Sequence, residues 1–362
     1  MYTSLFPRLP LRAVIFADGV FSRPEAKTAH GIIRHSRVFD TVAVIDRTLA
    51  SGTTGTVLPG TGIPVVGSLD NVLGLRPEAL VVALTESDYG EWEDGRFIHT
   101  PRQPGDLPEF WREQIESAID NGLQIISCLH QHLASTKLVE RLGAGQHIVD
   151  LRRPYEDPPK YSGRRSRDRA KVIHVAGSDC VIGKRTTALQ MRAAADRAGV
   201  DSGYIGTGQT CMLVGCDNGA IIDRTPVFQA AGLVERLIEE VESEHDLLFI
   251  KGQASVLHPA FGGLASAILQ GSRADAVIFV HDPSRRQRYH WEHLPVGDVR
   301  AEIRIVEELG GAPVAAISTR GQENVERLRH VGLPVADPLA DGGAKTLLEA
   351  ALTAAHFARN TR

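Results

Sequence analysis

The chain has 362 residues, 43% of them apolar and 23% charged, with a net charge of −4. That length suits two domains, the composition suits buried cores, and the charge balance excludes a global attraction to nucleic acid or to an anionic membrane. The opening MYTSLFPRLPLR lacks an apolar run long enough for a signal peptide or a membrane span. A cytoplasmic protein with a small-molecule partner, no nucleic acid and no membrane is therefore expected, and a homo-oligomer is left open. The four cysteines, Cys128, Cys180, Cys211 and Cys216, form no CxxC pair. Cys211 and Cys216 read as buried inert thiols rather than as half of a metal site.

In the first half, apolar runs at 13–17, 41–45, 79–84 and 123–128 read as strands. A helix is expected between the last two. Asp106 with Glu109 makes a capping box, Pro108 sits in the first turn, Phe110, Ile115 and Ile119 share a face, and Gly122 ends it. Strands alternating with helices imply a parallel sheet, hence a Rossmann-like domain over 1–155. No GxGxxG follows the first strand, which ends in Ala17-Asp18-Gly19. The glycines at 52, 55, 60 and 62 come after the second strand and keep company with Pro59 and Pro64. They read as a structural loop, and no nicotinamide cofactor is expected.

Residues 156–170, within PYEDPPKYSGRRSRDRA, read as a linker, and Arg164, Arg165, Arg167, Arg169 and Lys171 as a solvated hinge. The pattern then restarts over 171–362, with strands at 171–176, 203–206, 246–250, 274–280 and 313–318 and helices over 187–198 and 227–242.

Between the first of these strands and its helix lies Gly177-Ser178-Asp179-Cys180-Val181-Ile182-Gly183-Lys184-Arg185-Thr186-Thr187. Small residues let backbone N–H groups turn inward there, the helix start adds positive potential and Lys184 reaches the anion. This is a P-loop NTPase-like arrangement, and Gly177, Ser178, Asp179, Cys180, Gly183, Lys184, Arg185, Thr186 and Thr187 are expected to bind phosphate. Two departures stand out. Five residues separate the two glycines, as in dethiobiotin synthetase. Arg185 occupies the place of the Ser or Thr that ligates magnesium, with Thr186 one residue late.

The strand at 246–250 runs into Lys251-Gly-Gln253-Ala254-Ser255-Val-Leu-His258, where a nucleotidase offers a carboxylate near 251. Loops beyond such strand ends gather ligands in open α/β sheets. Thr207, Gln209 and Thr210, in GTGQT, and Arg285, in HDPSR, end neighbouring strands and are candidates for substrate contact. The histidines at 281, 290 and 293 have poor ligand spacing, and no bound metal is expected.

Together GSDCVIGKRTTALQM (177–191), GTGQT (206–210), GQASVLHPAFGG (252–263) and HDPSR (281–285), with ADG (17–19) and IDRTLASGTTG (45–55), resemble the D-glutamate N-acetyltransferase family, long catalogued as a domain of unknown function. The resemblance spans nearly the whole chain. It implies a Rossmann-like N-terminal domain, a P-loop C-terminal domain and acetyl-CoA-dependent transfer to the amine of D-glutamate. The family pattern has Glu-Gly-Gln-Gly where this chain has Lys251-Gly-Gln-Ala254, glycine at Cys211, and a carboxylate near Val227. Within the implied reaction, His258 is the expected general base with Asp179 next in line. Gln253 or glycine-loop amides are expected to face the oxyanion, and Arg285, Arg185 or Lys251 the substrate carboxylates. An ATP- and magnesium-dependent ligase or kinase, and a non-catalytic nucleotide-binding protein, are the alternatives.

Overall fold

The structure is a computed structural model that describes residues 2–84, 90–93, 96–99, 107–164 and 170–357. It divides into two compact units, Met1–Arg153 with Leu213–Gly215, and Pro154–Met212 with Cys216–Arg362.

The first unit carries β1 (Leu11–Phe16), α1 (Lys27–His35), β2 (Phe39–Ile45), β3 (Val65–Val66), β4 (Ala79–Val82), a separate hairpin of β5 (Gly90–Glu93) and β6 (Arg96–His99), α2 (Glu109–Asp120), β7 (Gln124–Ser127) and β8 (Ile148–Asp150). Its main sheet runs β3-β2-β1-β4-β7-β8, and every pairing is parallel. Leaving the hairpin aside, this is the Rossmann order, two half-sheets wound outward from the first strand. The apolar runs form its centre because a parallel sheet is covered on both faces and needs no alternation. Val14, Ile15, Phe16, Leu80, Val81 and Val82 are fully buried.

Helix α2 begins at Glu109 after Pro108, which has no side-chain cap. The expected capping residue Asp106 lies outside the described residues. The ADG and IDR motifs meet inside this unit. Asp18 takes a two-pronged ion pair from Arg47 at 2.7–3.1 Å, and the guanidinium sits 4.0 Å above the Phe110 ring. The glycine-rich stretch closes on itself, as a structural loop would. Buried Thr54 bonds Thr61 at 2.7 Å, and a Cβ on Gly55 would lie 2.6 Å from the Thr61 carbonyl.

The second unit contains β9 (Lys171–Gly177), α3 (Lys184–Arg197), β10 (Ser202–Gly206), α4 (Gln209–Val214), β11 (Asn218–Gly219), α5 (Val227–Glu239), β12 (Leu247–Lys251), α6 (Gly262–Ser272), β13 (Ala276–Val280), β14 (Gln287–Arg288), β15 (Trp291–Pro295), α7 (Val299–Gly310), β16 (Val314–Ser318), α8 (Gln322–Leu328), β17 (Val335–Ala336) and α9 (Gly343–Ala354). Its seven-stranded sheet is β11-β10-β12-β9-β13-β16-β17, again parallel throughout. Helix α3 starts three residues before the expected 187, because the polar Lys-Arg-Thr turn joins the helix without adding to its apolar period. β14 and β15 form an antiparallel hairpin.

The segment expected to be a solvated hinge is docked where it is described. The Ser162 amide donates to Glu235 at 2.7 Å, Gln229 donates to the Pro158 carbonyl, and a Cβ on Gly232 would lie 2.3 Å from the Pro159 carbonyl. Residues 158–162 therefore lie along α5. Arg165, Arg167 and Arg169 lie outside the described residues.

Helices α5 and α6 cover Val172, Ile205, Leu248 and Ile250. They approach closely at Gly271, where a Cβ would stand 2.4 Å from the Ala231 carbonyl oxygen. Gly271→Ala must push the helices apart and is expected to cost about 1–3 kcal/mol by overpacking. A lowered urea midpoint at constant m-value checks it, and an unchanged midpoint contradicts it.

Candidate active site

The central strand β9 ends at Gly177, and glycine is required there. A Cβ would lie 2.8 Å from the Val280 carbonyl oxygen on β13. The loop continues through Val181, a β-branched residue at φ +53°, to Gly183 at φ +110°. Backbone strain at such a residue persists only where its surroundings hold it, and it concentrates at ligand-binding loops. The Thr187 amide makes a helical bond to the Gly183 carbonyl. The amides before it at the start of α3 are the donors that a helix cannot pair within itself, so they face the loop as an anion site.

The cations that accompany them are buried. Lys184 is 6% exposed and donates to the Asp179 carbonyl. Burial lowers its pKa to about 8, with Cys180 opposing that shift, Lys251 adding to it, and Asp179 and Glu302 opposing. His174, beneath the loop on β9, is held neutral. Burial first, then Lys184 and Lys251, depress it to about 3. Two lysines and a histidine thus share one region at the ends of β9 and β12, and the usual strand-end carboxylate is Lys251. Among the described residues, Lys251 makes no ion pair.

The remaining loop residues are tied to the strand ends around them. Ser178 Oγ and His281 Nδ1 share a hydrogen bond of 2.9 Å, and Thr187 Oγ1 and Ser318 Oγ one of 2.8 Å. Thr207 donates to the Lys251 carbonyl at 2.8 Å, and Gln253 Nε2 donates to the Thr207 carbonyl at 2.6 Å. One Gln253 N–H, expected to face an oxyanion, therefore holds the 207 loop to the 253 loop. Burial lowers the Arg185 pKa, and Cys211 and Tyr204 lie close enough to oppose the shift. These neighbours belong to β10 and α4. Gln209 and Thr210 open α4, and Thr186 is half-buried in the first turn of α3. Ala254 has φ +39°, a backbone better suited to the glycine of the family pattern.

Arg285 and the hairpin of β14 and β15 close on the loop, and the hairpin brings Arg288 and Tyr289, which the sequence did not single out. Arg285 bonds Asp179 Oδ2 at 3.2 Å, and the Tyr289 amide reaches the same oxygen at 2.8 Å. Buried Arg288 donates to the Ser178 carbonyl at 3.1 Å and pairs with Glu302 of α7 at 3.5 Å. Ser255 donates to the other Glu302 oxygen at 2.9 Å. The hairpin, α7 and the 251–258 loop are thus fastened around the phosphate loop.

His258 is 1% exposed and packs against Phe261 and Trp291, both at 4.9 Å between ring centres. Burial lowers its pKa, Arg288 and Lys184 add to the shift, and Asp179 opposes it. The Ala260 amide donates to Nδ1 at 3.2 Å. Nδ1 is therefore an acceptor, and the neutral ring carries its proton at Nε2. The lone pair of Nδ1, which a base would use, is thus engaged by that amide. Among the described residues, Nε2 has no hydrogen-bond partner, nor has Asp179 Oδ1. A ring nitrogen of His258, a carboxylate oxygen of Asp179 and Cys180 Sγ all lie within 4.8 Å of one another.

Comparison with known proteins places this geometry. Residues 159–348 match a family described as a domain of unknown function, DUF1611_C, P-loop domain, and residues 100–154 match its Rossmann-like companion, DUF1611_N. The chain belongs to the DUF1611 family. A D-glutamate N-acetyltransferase of Pseudoalteromonas sp is 30% identical over 257 residues, covering 66% of this chain and 75% of that protein. One from Tritonibacter scottomollicae is 29% identical over 268 residues, covering 68% and 78%. The crystal structure of a DUF1611 family protein from Anabaena variabilis superposes with a TM-score of 0.82 at 26% identity, over 95% of this chain and 99% of that one. The Rossmann-like and P-loop domains read from the sequence are those of this family. Among the described residues, no helix is long and apolar enough to cross a membrane.

Proposed function

We propose that this DUF1611 member is an acetyl-CoA-dependent N-acetyltransferase whose acceptor is the α-amine of an acidic amino acid, D-glutamate in the first instance. The observation that carries the reading is the metal-averse phosphate cradle. Lys251 stands where a nucleotidase places a carboxylate, Arg185 where it places a hydroxyl, and Lys184 is buried beside them. Coenzyme A brings a diphosphate and a 3′-phosphate, so such a cradle holds it by charge and backbone N–H groups without magnesium. The names of the two bacterial relatives support transfer to an amine.

In this reading Gly177, Ser178, Gly183, Lys184, Thr186 and Thr187 surround the coenzyme phosphates, and Asp179 stands at the thioester end. The Nε2 proton of His258 faces the thioester oxygen as it gains charge, a donor role for which a neutral imidazole is suited. Asp179 Oδ1 takes a proton from the attacking amine. Arg285 and Lys251 meet the acceptor carboxylates, with Thr207, Gln209 and Thr210 along the rim.

The test is thiol release from acetyl-CoA with a panel of D- and L-amino acids, alongside thermal melts. Acidic amino acids are expected to release thiol. Acetyl-CoA at about 100 times its Kd is expected to stabilise the fold by about 2.7 kcal/mol, and ATP with magnesium to leave it unchanged. Stabilisation by ATP with magnesium, and no thiol release with any amine, would favour the ligase or kinase reading.

A further inference from the structure

Resting on the transferase reading above, we propose that Cys180 carries the acetyl group covalently, so that transfer runs through an acetyl-cysteine intermediate before the amine attacks.

Three observations set Cys180 apart. Among the four thiols it alone is half-buried, the other three being buried. Burial raises the Cys128 thiol to about 12 and pushes Cys216 up as well, while Cys211 Sγ is engaged by the Tyr204 hydroxyl at 3.0 Å. Cys180 also sits in the loop between β9 and α3, on the Asp179 side. Finally, two polar groups converge on it. Among the described residues, fully buried Asp179 has no partner for Oδ1, and His258, 1% exposed, has none for Nε2. One carboxylate oxygen of Asp179 and one ring nitrogen of His258 lie within 4.8 Å of Sγ and of each other. Buried polar atoms left without partners are costly, so two residues that carry them beside a half-buried thiol point to a reacting group that satisfies them.

The chemistry balances with these residues alone. As Sγ bonds to the thioester carbonyl carbon, the thiol proton passes to Asp179 Oδ1. The oxyanion accepts from His258 Nε2–H. Collapse breaks the bond to the coenzyme sulphur, which takes the proton from Asp179 and leaves as free coenzyme A. In the second half, the neutral amine bonds to the acetyl carbon, the bond to Sγ breaks, and the amine proton returns through Asp179 to sulphur. One thioester exchanges for another in the first half, so no oxidant, reductant or metal is consumed.

The same three side chains offer ligand atoms of the kind that hold a soft divalent cation. Two features of the site favour thiol chemistry. His258 Nδ1 accepts from the Ala260 amide, which leaves the proton on Nε2 where a metal would need a lone pair. Arg285 also pairs with Asp179 at 3.2 Å, and Lys184 is close enough to shift with its charge.

The decisive experiment incubates the full chain with acetyl-CoA and no acceptor. Intact mass and peptide mapping should show one acetyl group on Cys180, and label should exchange between coenzyme A and acetyl-CoA. Adding the acceptor should discharge the adduct. Cys180→Ala is expected to lower kcat about 10³-fold or more, with its melting curve unchanged. If wild type acetylates an amine with neither adduct nor exchange, the amine attacks acetyl-CoA directly; the covalent step is then overturned and the transferase reading stands. If neither an adduct nor acetyl transfer to any amine occurs, both fall. Stoichiometric zinc in the purified protein, lost in Cys180→Ala, overturns the proposal in favour of a metal centre.

Discussion

Glu302→Ala is expected to cost the P-loop domain about 3–5 kcal/mol, the penalty for removing one partner of a buried ion pair. Glu302 is fully buried in α7, and Arg288, 5% exposed, would be left with the Ser178 carbonyl but without its anion. Ser255 would lose its acceptor as well. Replacing both charged partners, Glu302→Leu with Arg288→Met, should recover much of the loss, because no uncompensated charge then stays buried. The sign of the pH dependence follows from burial. Burial raises the Glu302 pKa, while the Ser255 hydroxyl and Arg288 oppose the rise. The folded state therefore holds this proton to higher pH than the unfolded chain. The resulting stabilisation is present at low pH and is lost as pH rises through the folded pKa. Arg288→Met alone, which removes a group favouring the charged form, should thus be destabilised more at about pH 8 than at about pH 5. Urea unfolding at both values reads this directly, and a loss below about 1 kcal/mol for Glu302→Ala would show that the pair does not hold α7 to the loop.

The parts of this site that were legible in the sequence are those whose signal is local. Apolar runs announced the strands because central parallel strands are buried on both faces. The glycine spacing and Lys184 announced the loop because a phosphate cradle needs both at fixed offsets. Lys251 could be placed because it ends a strand. The hairpin could not be read: Gln287, Glu292 and His293 are exposed and carry no apolar alternation. Arg288 and Glu302 were missed for a different reason. They matter through each other and through Ser178 and Ser255, across separations no local pattern records. The tautomer of His258 depends on one backbone amide two residues away, which composition and spacing do not record. Residues 158–162 looked like a linker because proline and charge crowd them, yet Gly232 opens α5 to receive that backbone.

Lys184→Met should weaken binding of acetyl-CoA by about 10- to 150-fold at pH 7, the range set by the 1.5–3 kcal/mol of a charge-assisted hydrogen bond. Met matches the length of the side chain and fills the buried site, so the fold is expected to survive. Since the buried cation costs desolvation energy, the variant should melt no lower than wild type. A second consequence separates a direct charge contact from a packing effect. Burial brings the Lys184 pKa down to about 8 in the free protein. Below that pH the lysine is already charged, and affinity should be flat. Above it, the ligand must recruit a proton on binding, so the affinity of wild type should fall by up to about tenfold per pH unit. The lysine's own folding linkage runs the other way. Its depressed pKa means the unfolded chain holds the proton longer, so stability rises as pH climbs from about 8 toward the ordinary lysine range. Weakened binding at high pH therefore cannot be attributed to unfolding through this group. Calorimetric titration of acetyl-CoA between about pH 7 and pH 9.5 measures both effects. The expected result is a downward bend near pH 8 in wild type that is missing from Lys184→Met, and equal affinities with parallel profiles would remove Lys184 from the phosphate site.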